Sequence, residues 1–181
     1  MKIISHFDQH ELGYKSPDDR PVDYVRRAAR AVVINDVGQI ALMHFSKTGS
    51  YKLPGGGIDE GESIESALLR EVREESGYEI TDVRELGIIE EDRYYCAMHQ
   101  TSYCFIAKAG LFVGTELTEK ENAEGMRLVW VESIEKAVVA IEGNKMLDEN
   151  GDWIGHEMMK LREIAILQAA QPVRAIDDEG A

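Results

Sequence analysis

The segment PGGGIDEGESIESALLREVREESGY, residues 54–78, sets the strongest limit on how this chain folds. Ser63 is placed to cap a helix that runs to Ser76, and Gly77 is placed to end it in a left-handed conformation. At about 100° per residue, Ile64, Ala67 and Leu68 share one side, and Glu71, Glu74 and Glu75 each lie seven residues further along that side. Surface helices turn their charge to water, yet here carboxylates continue the apolar stripe. Their mutual repulsion costs roughly 0.2–0.5 kcal/mol per pair. They also crowd the helix C-terminus, where the macrodipole disfavours negative charge. Two kinds of compensation are open. Arg70, four residues before Glu74, makes the stripe a salt-bridged surface; a hard divalent cation such as Mg²⁺ or Mn²⁺, which prefers carboxylate oxygens, makes it a metal site.

Length and charge narrow the surroundings of this helix. With 181 residues the chain has the size of one domain and can bury a core without disulfides. The net charge of −14 excludes a general nucleic-acid backbone binder and makes an anionic membrane a poor partner. An anionic substrate must therefore be met by a few local basic residues or by bound cations. Cys96 and Cys104 fit neither a CxxC pair nor a disulfide framework and are expected as free, buried thiols. The N-terminus lacks a basic segment followed by an apolar run, and no stretch approaches the roughly 18 apolar residues of a membrane span. A cytoplasmic location is the corresponding expectation.

The pattern along the chain is one of strands flanked by helices, an α+β arrangement in α/β/α layers. Residues 1–28 are polar, broken by Pro17 and Pro21, and read as an arm or edge element. ARAVVIND and GQIALMHF read as two strands joined by a tight turn at 35–38, and Tyr51 to Leu53 as a short third. Gly55, Gly56 and Gly57 mark backbone that turns sharply or approaches something closely, and by themselves signal a loop. Further strands are expected near 83–89, 101–107 and 127–131, with GTELTEKENAEG as an exposed loop before the last. One helix is expected from Ser133 to before Gly143. A longer one covers Ile154 to Ala170, with Ile154, Met158, Leu161 and Ala165 facing inward. Residues 173–181 read as a flexible acidic tail.

Gly56, Glu62, Arg70, Glu71, Glu74, Glu75 and Gly77, at these spacings and closed by Tyr78, resemble the Nudix box, the 23-residue signature of the Nudix hydrolases. Tyr78 departs from the pattern, since that position is more often aliphatic. The resemblance implies an α/β/α sandwich with a mixed sheet over residues 29–172, and hydrolysis of the phosphoanhydride bond in a nucleoside diphosphate linked to another moiety. It also implies Mg²⁺ or Mn²⁺ held by Glu71, Glu74 and Glu75, with the backbone carbonyl of Gly55 or Gly56 nearby and Arg70 orienting the carboxylates. Lys52 and Gly56 are candidates for substrate contact. The general base is either a box glutamate or one from the downstream loop, where Glu116, Glu119, Glu121 and Glu124 are available. A homodimer using the N-terminal segment is a further expectation from the resemblance.

Substrate choice lies outside the box. Tyr94 and Tyr95 stand 16 and 17 residues past Tyr78, where the family's dinucleoside polyphosphate hydrolases carry a tyrosine and its ADP-ribose hydrolases a proline. The resemblance thus favours a dinucleoside polyphosphate or a nucleoside triphosphate over ADP-ribose or a nucleotide sugar. Two other readings use the same scaffold. An isoprenoid diphosphate isomerase would need Cys96 or Cys104 poised opposite a glutamate, and a sensing module that does not hydrolyse would commonly lose box glutamates, all of which are present here. His156-Glu157 begins like a zinc metalloprotease helix, but Lys160 stands where the second histidine is needed.

Overall fold

The computed structural model describes residues 1–144 and 153–178. Eight strands form one mixed sheet. They are β1 (Ile3–Asp8), β2 (Tyr24–Ile34), β3 (Ile40–Phe45), β4 (Ser50–Lys52), β5 (Gly55–Gly57), β6 (Tyr78–Arg93), β7 (Met98–Phe112) and β8 (Met126–Val131). The order is β1-β6-β7-β2-β3-β4, with β5 added to β2 and β8 to β3. β1 runs parallel to β6 and β2 parallel to β7, and the other pairings are antiparallel.

Alternation along β2 divides the core in two. Ala29, Ala31 and Val33 face one side, where they meet Ala67, Leu68 and Val72 of helix α1 (Ile64–Ser76). Val32 faces the other and packs with Ile134 and Ile141 of α3 (Ile134–Glu142) and Ile166 and Leu167 of α4 (Trp153–Asp178). The α/β/α layering expected from the sequence is present.

Local chemistry explains where the elements start and stop. Ser63 accepts from the Ser66 N–H and Gly77 closes α1 at φ 78°. Ser133 caps α3 in the same way. The Asn35 side chain accepts from Val37 and Gln39, which closes the β2–β3 turn. Tyr78, the unusual box residue, sits half-buried between Phe112 and Trp130.

Several boundaries differ from the sequence reading. β6 and β7 run to 16 and 15 residues because register shifts in β6, one beside Asp82 at φ 50°, break the period-two pattern without breaking the pairing. The acidic segment holds a short helix, α2 (Glu119–Glu124), started by a capping box in which Thr118 and Glu121 bond reciprocally. The glycine run is a strand, paired through Gly55 to Arg30, Gly56 to Ala29 and Gly57 to Ala28. Helix α4 continues through Pro172 to Asp178, giving up the one backbone bond that a proline cannot donate. Residues 179–181 of the expected tail lie outside the described residues. The buried face of α4 also departs from the expected stripe: Ile154 and Met158 are buried, but Arg162 and Glu163 are buried where Leu161 and Ala165 were expected, and those two are half-buried. None of the described helices is long and apolar enough to cross a membrane.

Candidate active site at the glycine strand

Helix α1 lays its carboxylates against β5. A Cβ added to Gly56 would fall 2.2 Å from Glu71 Oε2, so only glycine lets the carboxylate sit on the strand. Gly55 is held as firmly: its φ is 134°, and an added Cβ would meet the Ala29 carbonyl at 2.3 Å. The close approach that the triple glycine signalled is thus to β2 on one side and to Glu71 on the other.

Arg70 binds this group together. It grips Glu62 with two parallel bonds, from Nε and Nη2, each 2.9 Å, and donates to the Gly57 carbonyl at 3.1 Å. Its Nη1 donates to Glu71 at 2.9 Å and to Glu74 at 3.3 Å. The bond from Arg70 is the largest influence on Glu62 and holds its carboxyl at about 2. Glu75 is the inner member of the triad, only 3% exposed. Burial pushes its pKa up and the neighbouring Glu71 adds to this, while Lys52 and the Gly55 N–H pull the other way. Lys52 Nζ lies 2.5 Å from Glu75 Oε1 and 3.0 Å from the Gly55 carbonyl, and the Gly55 N–H donates to Glu75 Oε2 at 2.9 Å. Lys52 is therefore a largely buried counter-ion to Glu75, not a solvated strand-end lysine.

Hard oxygen donors from three carboxylates within about one helical turn suit a divalent cation such as Mg²⁺. Among the described residues no group of three or more His, Cys, Asp or Glu residues is positioned to hold a metal ion. Arg70 takes an oxygen each from Glu71 and Glu74, and Lys52 and Gly55 take both from Glu75. Those two cations occupy the compensating role that the carboxylates require. The Gly55 carbonyl faces Lys52 and also Arg30, whose Nη1 donates to it at 3.2 Å.

The remaining expected residues divide clearly. Tyr94 stacks on His10 at 4.2 Å and donates to Asp8 at 2.7 Å, a bond that pushes its phenol up to about 12 and ties it to the N-terminal segment. Tyr95 lines a cavity of about 270 Å³ together with Arg26, Arg30, Arg93 and Arg162. Glu121 spends its carboxylate on Thr118, Glu116 pairs with Arg73 at 2.9 Å, and Glu119 is exposed on α2. Cys104 is fully buried and its thiol is pushed up to about 12 by that burial, so it is a core residue and not a nucleophile. Cys96 is half-buried.

The arginine cavity was not anticipated. Its signal in the sequence was the spacing of Arg26 and Arg30 on one face of a strand, and an Arg-Glu pair in the middle of a core helix. A larger cavity of about 520 Å³ at the β2–β3 turn shares no residue with either site.

Replacing Gly56 by alanine is expected to leave the fold intact, because the obstructing atoms belong to the movable end of Glu71. Displacing that carboxylate by about 1 Å should lower metal-dependent kcat by about 100-fold. Turnover measured beside a thermal melt checks this, and an active Gly56→Ala enzyme would refute the placement of Glu71.

Comparison with known proteins places the chain in a family. The family model of the NUDIX domain matches residues 25–149, and the chain belongs to the Nudix hydrolase family. A Bacillus subtilis (strain 168) protein carrying the name "Putative 8-oxo-dGTP diphosphatase" is 33% identical over 73 residues, 40% of this chain and 49% of that protein. An RNA pyrophosphohydrolase of Haemophilus ducreyi is 46% identical over 53 residues, 29% of this chain and 27% of that protein. The chain thus spans half or less of the length of these relatives. Among solved structures, a NUDIX hydrolase from Nitrosomonas europaea aligns with a TM-score of 0.55 at 21% identity, over 77% of this chain and 89% of the other. A MutT NUDIX hydrolase from Burkholderia pseudomallei aligns with a TM-score of 0.51 at 20% identity, over 68% of this chain and all of the other. These two structures share the fold.

Proposed function

We propose that the chain is a divalent-metal-dependent pyrophosphohydrolase of phosphate-rich nucleotides, with a nucleoside triphosphate or a dinucleoside polyphosphate as substrate. The observation that carries this reading is the packing of Glu71 and Glu75 against a strand of three glycines, with Glu74 beside Glu71 on Arg70, where backbone without side chains lets a phosphate come close. Glu71, Glu74 and Glu75 would hold Mg²⁺ or Mn²⁺, which supplies charge neutralisation for phosphate oxygens and acidifies water. Arg70 keeps the carboxylates in position through its bonds to Glu62, Glu71, Glu74 and the Gly57 carbonyl. Lys52 and the Gly55 N–H hold the Glu75 carboxyl in place and pull its pKa down against the burial that raises it.

A glutamate of α1 is the better candidate for general base than Glu119 or Glu121. Glu121 is committed to its own helix cap, and Glu119 is exposed on α2. The names of the relatives, "Putative 8-oxo-dGTP diphosphatase" and "RNA pyrophosphohydrolase", also favour phosphate-rich substrates. The retained carboxylates favour hydrolysis over mere sensing.

Incubation with Mg²⁺ or Mn²⁺ against nucleoside triphosphates including oxidised ones, dinucleoside polyphosphates, a 5′-triphosphorylated RNA, ADP-ribose and nucleotide sugars tests the proposal. The expected outcome is strongest turnover on the triphosphates or polyphosphates. Silence across the panel with metal binding intact would point to a sensing module, and preferential cleavage of ADP-ribose or a nucleotide sugar would overturn the substrate class.

A further inference from the structure

We propose that the arginine-lined cavity between β2 and α4 is an anion subsite that takes a phosphate group of the substrate other than those flanking the cleaved bond. The inference rests on the hydrolase reading and names what its substrate must carry.

Charge supplies the first argument. Arg26, Arg30, Arg93 and Arg162 converge on one cavity, and the carboxylates bonded or facing them are Glu91 and Glu163. Arg162 donates to Glu91 at 3.1 Å and to Glu163 at 2.6 Å, and Arg93 to Glu91 at 2.5 Å. Among the described residues Arg26 bonds the neutral Gln100, at 2.6 Å, with Glu71 a more distant attraction, and Arg30 lies 4.0 Å from Glu163, beyond hydrogen-bonding reach. Among the described residues, four guanidinium groups bond or face two carboxylates at this cavity, an excess of two positive groups, in a chain whose net charge is −14. A phosphate group at neutral pH carries about that much charge with the opposite sign.

Unsatisfied polar atoms supply the second. Four buried side-chain nitrogens or oxygens lack a partner among the described residues, and three of them, Arg30 Nε, Arg93 Nε and His156 Nδ1, belong to residues lining this cavity. Arg30 and Arg93 are 4% and 8% exposed. Buried polar groups are nearly always bonded, so orphans gathered at one cavity point to a ligand that satisfies them. Arginine forks match phosphate oxygens in geometry as well as charge. At about 270 Å³ the cavity is just below the range for a whole drug-sized ligand and suits a phosphate group.

Position supplies the third. Arg30 donates to the Gly55 carbonyl, and Arg26 Nη2 lies 3.7 Å from where a Gly57 Cβ would stand. Glu163, bonded to the cavity's Arg162, accepts from the Leu53 N–H two residues before the glycine strand. The cavity and the carboxylates therefore flank the same three residues, within reach of the two ends of one polyphosphate.

Calorimetric titration of the full chain with inorganic phosphate in the presence of a chelator tests the site without any metal. One phosphate is expected to bind, with at least about tenfold weaker binding in Arg26→Gln and in His156→Gln and no change in Glu74→Gln. Arg26 and His156 are half-buried, so neither change opens the core, and circular dichroism checks that both variants are folded. No binding by the wild type, or equal binding by the two variants, overturns the site. In steady state, Arg26→Gln should raise KM for a nucleoside triphosphate about tenfold with kcat within about twofold, and leave KM for a nucleotide sugar unchanged. Lost phosphate binding with an unchanged triphosphate KM would make this a site for free phosphate and overturn the assignment to substrate. Phosphate binding that behaves as expected beside no turnover on any substrate would sink the hydrolase reading and leave the anion site standing.

Discussion

Glu74→Gln and Glu75→Gln are expected to lower Mg²⁺-dependent turnover by about 10³-fold or more, corresponding to about 4 kcal/mol of barrier. Each substitution preserves shape and removes one carboxylate charge from a group of three that only a cation can hold together. The two should differ in stability. Glu74 is half-buried and shares Arg70 with Glu71, so its loss leaves that arginine paired to Glu62 and Glu71. Glu75 is buried, and burial holds its pKa above the ordinary carboxylate value. A raised pKa means stability that is fully present below the unfolded carboxylate pKa and lost as pH rises through the folded one. Metal-free wild type should show that loss, and Glu75→Gln should not. Turnover assays beside pH-dependent melts read both effects, and full activity in either variant would remove the carboxylates from the mechanism.

Glu91→Gln is expected to cost about 3–5 kcal/mol of folding stability, the range for removing one partner from a buried ion pair. Glu91 is fully buried at the centre of a network that takes one bond each from Arg93, Gln100 and Arg162. Burial pushes its pKa up, but Arg162 and Arg93 more than reverse this and hold it at about 2, below its ordinary 4.5. A depressed pKa means stability that is fully present above about 4.5 and lost as pH falls through 2. The wild type should accordingly unfold in acid with a contribution from this cluster that the variant lacks. Denaturant midpoints at neutral pH and across that acidic window measure both, and a neutral-pH loss below about 1 kcal/mol would show that the network is not a stability centre.

Helix α1 was the most legible part of the chain. Ser63 and Gly77 mark its ends by local hydrogen bonding and backbone freedom, and such signals need no tertiary context. Glu71, Glu74 and Glu75 were readable because charge on an apolar stripe violates a local rule. The capping box Thr118–Glu121 was equally local, although the segment read as a loop. β6 and β7 were placed but shortened, because bulges interrupt the alternation that identifies a strand.

The sequence by itself determined which residues could carry the chemistry: the capped helix, its carboxylates, Arg70 between them and the glycines that leave room. Only the tertiary structure decided what surrounds them. Pairing of β5 with β2 turned a glycine loop into a strand, because the partner N–H and C=O groups come from residues about 27 positions away. Packing of α4 across the sheet brought Arg162 and Glu163 to Arg30, and Arg162 to Glu91 on β6. Buried charge is stable only when such distant partners meet, and no local pattern encodes that meeting.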